Sequence, residues 1–224
     1  MNLFAIDTTG NELSLALQTD TRVLSFAREL AAPNDETLLP QSQRILKKAG
    51  QTWKDLDAIV VASGPGRFTG IRIGMSFAAV LARRLGIPAL AVSRFEALAS
   101  KTPGQLVCAV LPGWRDEMFY QLFRRGARGI GSSAGGGGTG SLAAGASGET
   151  RPAAPPVWAS AAQWAQARTE MAARGAILAE AAVRAPDLLS CAERLLRRQR
   201  RPRFEPLYLK PASYELKPKA GTAG

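Results

Sequence analysis

The chain has 224 residues, 46% of them apolar, enough for one or two packed domains, and carries a net charge of +11. It contains no histidine, which excludes histidine general bases, Ser-His-Asp triads and histidine-ligated metals, and its two cysteines, Cys108 and Cys191, are too few for a disulfide framework. Most of the charge lies late: residues 1–100 hold 11 Lys+Arg against 9 Asp+Glu, residues 101–224 hold 18 against 9, and a basic half of that kind attracts polyanions.

The opening run Leu3–Ile6 reads as a buried strand and meets an acid at Asp7, without the basic n-region of a signal peptide. Leu13, Leu15 and Leu17 alternate with Ser14 and Ala16 to give a second strand, and Val23–Leu30 a third; hairpin-length links join them into an antiparallel meander. From Asn34 the period becomes helical, with Leu38, Leu39, Ile45, Leu46 and Ala49 on one face and Gly50 as terminator. The run Ala58–Ala62 is short and β-branched, a further buried strand.

The stretch Ser63-Gly-Pro-Gly-Arg-Phe-Thr-Gly-Ile-Arg-Ile-Gly74 follows that strand and turns helical through Leu85, where Gly86 sits at the capping position. Gly64 and Gly66 permit backbone angles and approaches that a Cβ forbids. Thr69 is expected to cap the helix start, where an anion can bind. Gly70, Gly74, Ala78 and Ala82 recur every four residues and put a strip of small side chains on one helix face. Two glycines inside a helix cost about 1 kcal/mol each. Close approach of another element offsets that cost. The element is either a part of the same chain or a partner's helix; on the second reading Gly74→Leu blocks association and leaves the monomer folded.

Ala89–Val92 is the next strand and Arg94–Ser100 a short helix, so the first hundred residues read β-β-β-α-β-α-β-α. Beyond them, Gln105–Leu111 and Met118–Phe123 are strands around a turn at Pro112-Gly113. Residues 126–148 are a low-complexity Gly/Ser/Ala loop. Ala159–Arg174 and Asp187–Gln199 are helical, and Leu207–Leu209 a last strand before a tail. No run of 18 apolar residues is present, so no membrane span is expected and a reducing cytoplasm is.

At Ile6-Asp7-Thr8-Thr9, at Ser63–Gly74 and at Pro206-Leu-Tyr-Leu-Lys-Pro211 the chain resembles the TsaB (YeaZ) family, densely over residues 1–100, thinly over 101–200, and again at 204–211. The resemblance implies an α/β, actin/Hsp70/sugar-kinase-like fold of two lobes with mixed sheets flanked by helices. The lobes would be 1–100 and 101–203, with 204–224 a C-terminal segment returning to the first. It implies a non-catalytic subunit that activates and scaffolds a TsaD-like threonylcarbamoyltransferase, together with a TsaE-like ATPase. The product is N6-threonylcarbamoyladenosine at position 37 of ANN-decoding tRNAs. It places the partner interface on helices of the first lobe, at Leu38, Leu39, Ser42, Ile45, Leu46, Gly70, Arg72, Gly74, Met75 and Ala78, with a homodimer through the same faces when the chain is alone.

In this fold the hairpin at Asp7-Thr8-Thr9 and the loop at Gly64 and Gly66 can face a nucleotide's phosphates, a carboxylate there holding hydrated magnesium. No cofactor is required of this chain, and ATP or ADP is placed at the complex interface. TsaD carries an H-x-x-x-H metal pair; the matching stretch here has Arg94 and Leu98, neither an ordinary ligand. Two other readings stand beside the subunit: a stand-alone kinase or ATPase using Asp35, Glu36, Asp116 or Glu117 as base, and a glycoprotease. Arg194, Arg197, Arg198, Arg200, Arg201 and Arg203 crowd ten residues, and Arg197, Arg198, Arg200 and Arg201 are candidate tRNA contacts; the alternative is a solvated helix end favoured by its dipole.

Overall fold

The computed structural model describes residues 1–29, 34–113, 115–126, 149–200 and 202–210, with the side chains of 34–36 left aside. Two five-stranded sheets organise them. The first has the order β3-β2-β1-β4-β5, with β1 Leu3–Asp7, β2 Glu12–Gln18, β3 Val23–Glu29, β4 Ala58–Ala62 and β5 Ala89–Val92. β1, β2 and β3 form the meander, antiparallel throughout, whereas β1, β4 and β5 run parallel.

The central strands alternate between two cores, as the two-residue period of a strand requires. Phe4, Ile6, Leu15, Ile59 and Val61 face α1 (Asn34–Ala49) and α2 (Phe68–Leu85). Leu3, Ala5, Ala16, Val60 and Val92 face the other way, into a core shared with α3 (Arg94–Lys101) and α5 (Ala185–Arg197). Gly50 (φ +70°) and Gly86 (φ +72°) end α1 and α2 in the left-handed region, as their positions predicted.

The second sheet runs β10-β6-β7-β8, with β9 also on β7: β6 Leu106–Pro112, β7 Met118–Arg125, β8 Thr150–Pro152, β9 Val157–Ala159 and β10 Ile177–Ala179. α4 (Ala161–Ala173) covers one face, burying Trp164, Ala167 and Met171 with Cys108 and Val110. Burial pushes the Cys108 thiol up to about 12, so it stays protonated and inert.

Two expectations are corrected. α5 was assigned to the second lobe but packs on the first sheet, its start tied there by the Ala185 N–H donating to the buried Ser14 Oγ at 3.0 Å. Leu207–Leu209 is not a strand: it is extended, with the Leu207 N–H donating to Ser63 O at 2.8 Å. A 3-10 turn at Trp53–Asp55 and the three-residue strands β8, β9 and β10 have no counterpart in the sequence reading. The low-complexity insert, from 127 to 148, lies outside the described residues.

Candidate functional site

The glycine loop is built for docking backbone on backbone. Gly64 has φ +112°, and a Cβ there would lie 2.9 Å from Leu207 O and from Ile71 Cδ1. A Cβ on Gly66 would lie 2.4 Å from Thr9 O, one on Gly70 2.0 Å from Thr8 O, and one on Gly74 2.3 Å from Thr8 Oγ1. The Arg67 N–H donates to Thr9 O at 2.7 Å, and Thr8 Oγ1 donates to Gly70 O at 2.7 Å. The small-residue strip thus receives the Asp7-Thr8-Thr9 corner of the same chain. Gly70, Gly74, Met75 and Ala78 are buried there and offer no partner surface, which corrects their assignment to an interface. Thr69 is not the cap either: α2 starts at Phe68 after Arg67, and Thr69 lies exposed in its first turn.

The opposite face of α2 carries a second four-residue stripe, two residues out of phase with the first: Phe68, Arg72, Ser76 and Val80 are all exposed. A two-residue offset is about 200° around a helix, so the two stripes look in opposite directions. Phe68 is 55% and Val80 68% exposed, and Leu39 of α1 is 44% exposed, large apolar side chains left to solvent. The Arg72 guanidinium stands 5.0 Å over the Phe68 ring. Of the remaining α1 candidates, Leu38, Ser42, Ile45 and Leu46 are buried, Ser42 Oγ donating to Leu38 O at 2.7 Å, so they support the helix from beneath and are not contact residues. Leu39, expected on their face, points away from it.

Asp7 sits at the end of β1, 4% exposed, and all its visible partners are internal. Its Oδ1 accepts from the Thr9 N–H at 2.9 Å and Thr9 Oγ1 at 2.6 Å, and its Oδ2 lies 3.3 Å from Arg94 Nε. Arg94, at the start of α3, also donates from Nη1 to Pro65 O at 3.1 Å. A hydrated magnesium ion needs a carboxylate face open to its waters, and a phosphate needs hydroxyl or N–H donors turned outward. Here the Asp7 carboxylate is already neutralised by a guanidinium, and Thr8, Thr9, Gly64 and Gly66 are committed to packing, so these residues as arranged do not fit a nucleotide's phosphates. Leu98 is fully buried. Among the described residues no group of three His, Cys, Asp or Glu side chains is gathered for a metal.

Between the sheets lies a cleft of about 1010 Å³, reached by Asp7, Gly66, Arg67, Arg94, Glu117 and Arg184. Leu207, Tyr208, Leu209 and Lys210 line it too. Tyr208 meets Phe68 at 4.8 Å between ring centroids, and Lys210 Nζ lies 2.6 Å from Glu117 Oε1 and 5.9 Å over the Trp158 ring. On the far side Arg184 grips Glu12 through two bonds, at 2.8 and 2.9 Å. Of the candidate bases, Glu117 is therefore paired, Asp116 lies exposed, and the side chains of Asp35 and Glu36 lie outside the described residues. The resemblance at Pro206–Pro211 implies a segment that returns to the first lobe, and the Leu207 N–H bond to Ser63 O lies there; no local signal in the sequence gives Tyr208 and Lys210 their partners Phe68 and Glu117.

The arginines run from the last turn of α5 into the segment after it. Arg197, Arg198 and Arg200 are exposed, while Arg201 lies outside the described residues. Glu149 pairs with Arg198 and Arg151 and stands 3.8 Å from Arg200 Nη1. These guanidinium groups hold its carboxyl at about 2, well below the usual range. Because the folded-state value is depressed, the stabilisation from this cluster is present above the ordinary glutamate range and is lost as pH falls through about 2. A carbon-detected NMR titration is expected to show Glu149 still ionised at about pH 3.5, between the depressed and the ordinary value; protonation near the ordinary glutamate range would mean the cluster does not persist in solution.

Comparison with known proteins gives one consistent neighbourhood. Residues 29–135 match the family model described as TsaD: tRNA N6-adenosine threonylcarbamoyltransferase. The chain is 39% identical over 101 residues to the Bacillus subtilis (strain 168) tRNA threonylcarbamoyladenosine biosynthesis protein TsaB, covering 45% of this chain and 44% of that one. It is 31% identical over 134 residues to the Escherichia coli (strain K12) protein of the same name, covering 58% of each. The matches thus span about half the length of these curated relatives. Among solved structures, a Pseudomonas aeruginosa protein described as similar to peptidase YEAZ superposes with a TM-score of 0.69 at 25% identity, covering 93% of this chain and 99% of that one.

Proposed function

The chain belongs to the TsaB/YeaZ family, and from that premise we propose that it is a non-catalytic subunit in tRNA threonylcarbamoyladenosine biosynthesis, acting through the outer face of its first lobe. The observation that carries this reading is the stripe Phe68, Arg72, Ser76 and Val80 on α2, together with the exposed Leu39 of α1. Its spacing fits ridge-into-groove packing against another helix, and its large apolar members gain from being covered. The match of residues 29–135 to a TsaD family model supports the choice of a TsaD-like partner, because a related lobe presents a related helix pair. Modification at adenosine 37 of ANN-decoding tRNAs, assistance from a TsaE-like ATPase, self-association through the same stripe and a cytoplasmic setting belong to the same proposal. No helix among the described residues is long and apolar enough to cross a membrane.

The chain brings no catalytic group of its own in this reading, and any ATP or ADP is held with its partners. Isothermal titration with magnesium-ATP is expected to give no heat of binding to the isolated chain; saturable binding weakened by Asp7→Ala would revive the stand-alone kinase. The decisive experiment is reconstitution. TsaD, TsaE and threonylcarbamoyl-adenylate are expected to modify tRNA poorly until this chain is added, and full modification without it would refute the proposal. Leu39→Asp combined with Val80→Asp is expected to abolish co-elution with TsaD while leaving the melting temperature within about 2 °C of wild type, since both positions are exposed.

A further inference from the structure

α2 and α5 lie on opposite faces of the first sheet, and the end of α5 reaches the link that follows α2. The last turn of α2 carries Arg83 and Arg84 and leads through Gly86 to Pro88. Pro88 in turn shares a groove of about 320 Å³ with Leu196, Gln199 and Arg200. Arg200 lines it, and Arg197, Arg198 and Arg203, close by in the chain, are exposed as well. We propose that this edge is an RNA-binding surface that grips phosphates without reading bases. The proposal deepens the reading above and rests on it for tRNA as the RNA concerned.

Three observations favour phosphate as the ligand chemistry. The basic side chains in 185–209 are all arginine, and a guanidinium fork matches a phosphate's oxygens where an ammonium offers only a point charge. The side chains also converge on an anion already: Arg198 pairs with Glu149 Oε1, Arg200 Nη1 lies 3.8 Å from the same oxygen, and Arg151 Nη2 holds Oε2 at 2.9 Å. That carboxylate occupies the place a phosphate would take. Finally, among the described residues of 185–203 no large apolar side chain is exposed, so a wedge for a lipid surface is absent from this stretch.

The test uses the full chain and a fluorescently labelled, unmodified tRNA transcript, with anisotropy read across a salt series. Arg197→Glu, Arg198→Glu and Arg200→Glu together are expected to weaken binding at least tenfold. They should also flatten the slope of log affinity against log salt by about 2 to 3, since each phosphate no longer neutralised removes roughly 0.7–0.9. Glu149→Gln removes the competing carboxylate and is expected to tighten binding about threefold, an effect a purely structural pair would not produce. An unchanged affinity and slope in the triple variant, displacement of tRNA by polyglutamate at equal charge, or equal binding to phosphatidylserine vesicles would each overturn the proposal. Co-elution with TsaD is measured on the same variants: its retention with weakened RNA binding isolates this surface, and its disappearance with RNA binding intact condemns only the docking reading.

Discussion

Gly70→Ala is expected to destabilise the protein severely. A Cβ at that position falls 2.0 Å from Thr8 O, 3.0 Å from Thr8 C and 3.4 Å from Thr9 Cα, all of them backbone. The corner cannot retreat. β1 is hydrogen-bonded to β2 on one side and β4 on the other, and the Arg67 N–H and Thr8 Oγ1 bonds clamp it to α2. Relief therefore requires the helix to move off the sheet, opening the core of Ile71, Met75 and Ala78. The cost is about 3 kcal/mol or more, a large part of the roughly 5–15 kcal/mol that holds a domain together. Gly86→Ala is the control: nothing lies within 4 Å of its Cβ, and only the left-handed backbone, φ +72°, resists the change, at about 1 kcal/mol. Urea unfolding separates the two, and similar midpoints would refute the close-packing account. The same geometry reverses the expectation for Gly74→Leu, whose side chain would collide with Thr8 Oγ1 at 2.3 Å and damage the monomer itself.

Arg94→Ala is expected to cost about 3–5 kcal/mol, because it strands the Asp7 carboxylate inside the protein. Asp7 is 4% and Arg94 12% exposed, so the guanidinium screens the carboxylate from the cleft that both side chains border. Asp7→Asn placed in the same background is expected to recover most of the loss, since a neutral amide still accepts the Thr9 bonds through its oxygen and carries no charge to neutralise. The coupling from the double-mutant cycle should reach about 2 kcal/mol. Arg94→Ala melting like wild type would mean that the ion pair is incidental and that Asp7 is open to a ligand.

The first lobe was legible because its signals are local. Alternation at Leu13, Leu15 and Leu17 fixes the inward face of β2, and Gly50 and Gly86 mark the helix ends by their backbone angle alone. What failed was the direction of faces. Leu38 and Leu39 are adjacent, hence about 100° apart on a helix; Leu38 is buried and Leu39 is not, whereas the adjacent Ile45 and Leu46 are both buried, and a sequence cannot say which apolar residue is surplus. The strip Gly70, Gly74, Ala78, Ala82 announced a close approach correctly, yet spacing does not identify the neighbour; it proved to be Thr8. The exposed stripe on the opposite face was read only at Arg72, because Phe68 and Val80 look like core residues until the core is seen to be full. In the second half, three-residue strands fall below the length at which alternation is visible.

The crossing of α3 and α5 has a practical consequence. α3 comes from the first hundred residues and supplies Phe95, Leu98 and Ala99 to a core it shares with Phe119 and Phe123 of the second sheet; α5 comes from the later residues and seals the first sheet with Leu188, Leu189 and Ala192. Each half of the chain thus wears a piece of the other. Neither can be excised as an autonomous fragment without baring a greasy surface, so a split version should remain insoluble apart and recover only when both pieces are made together.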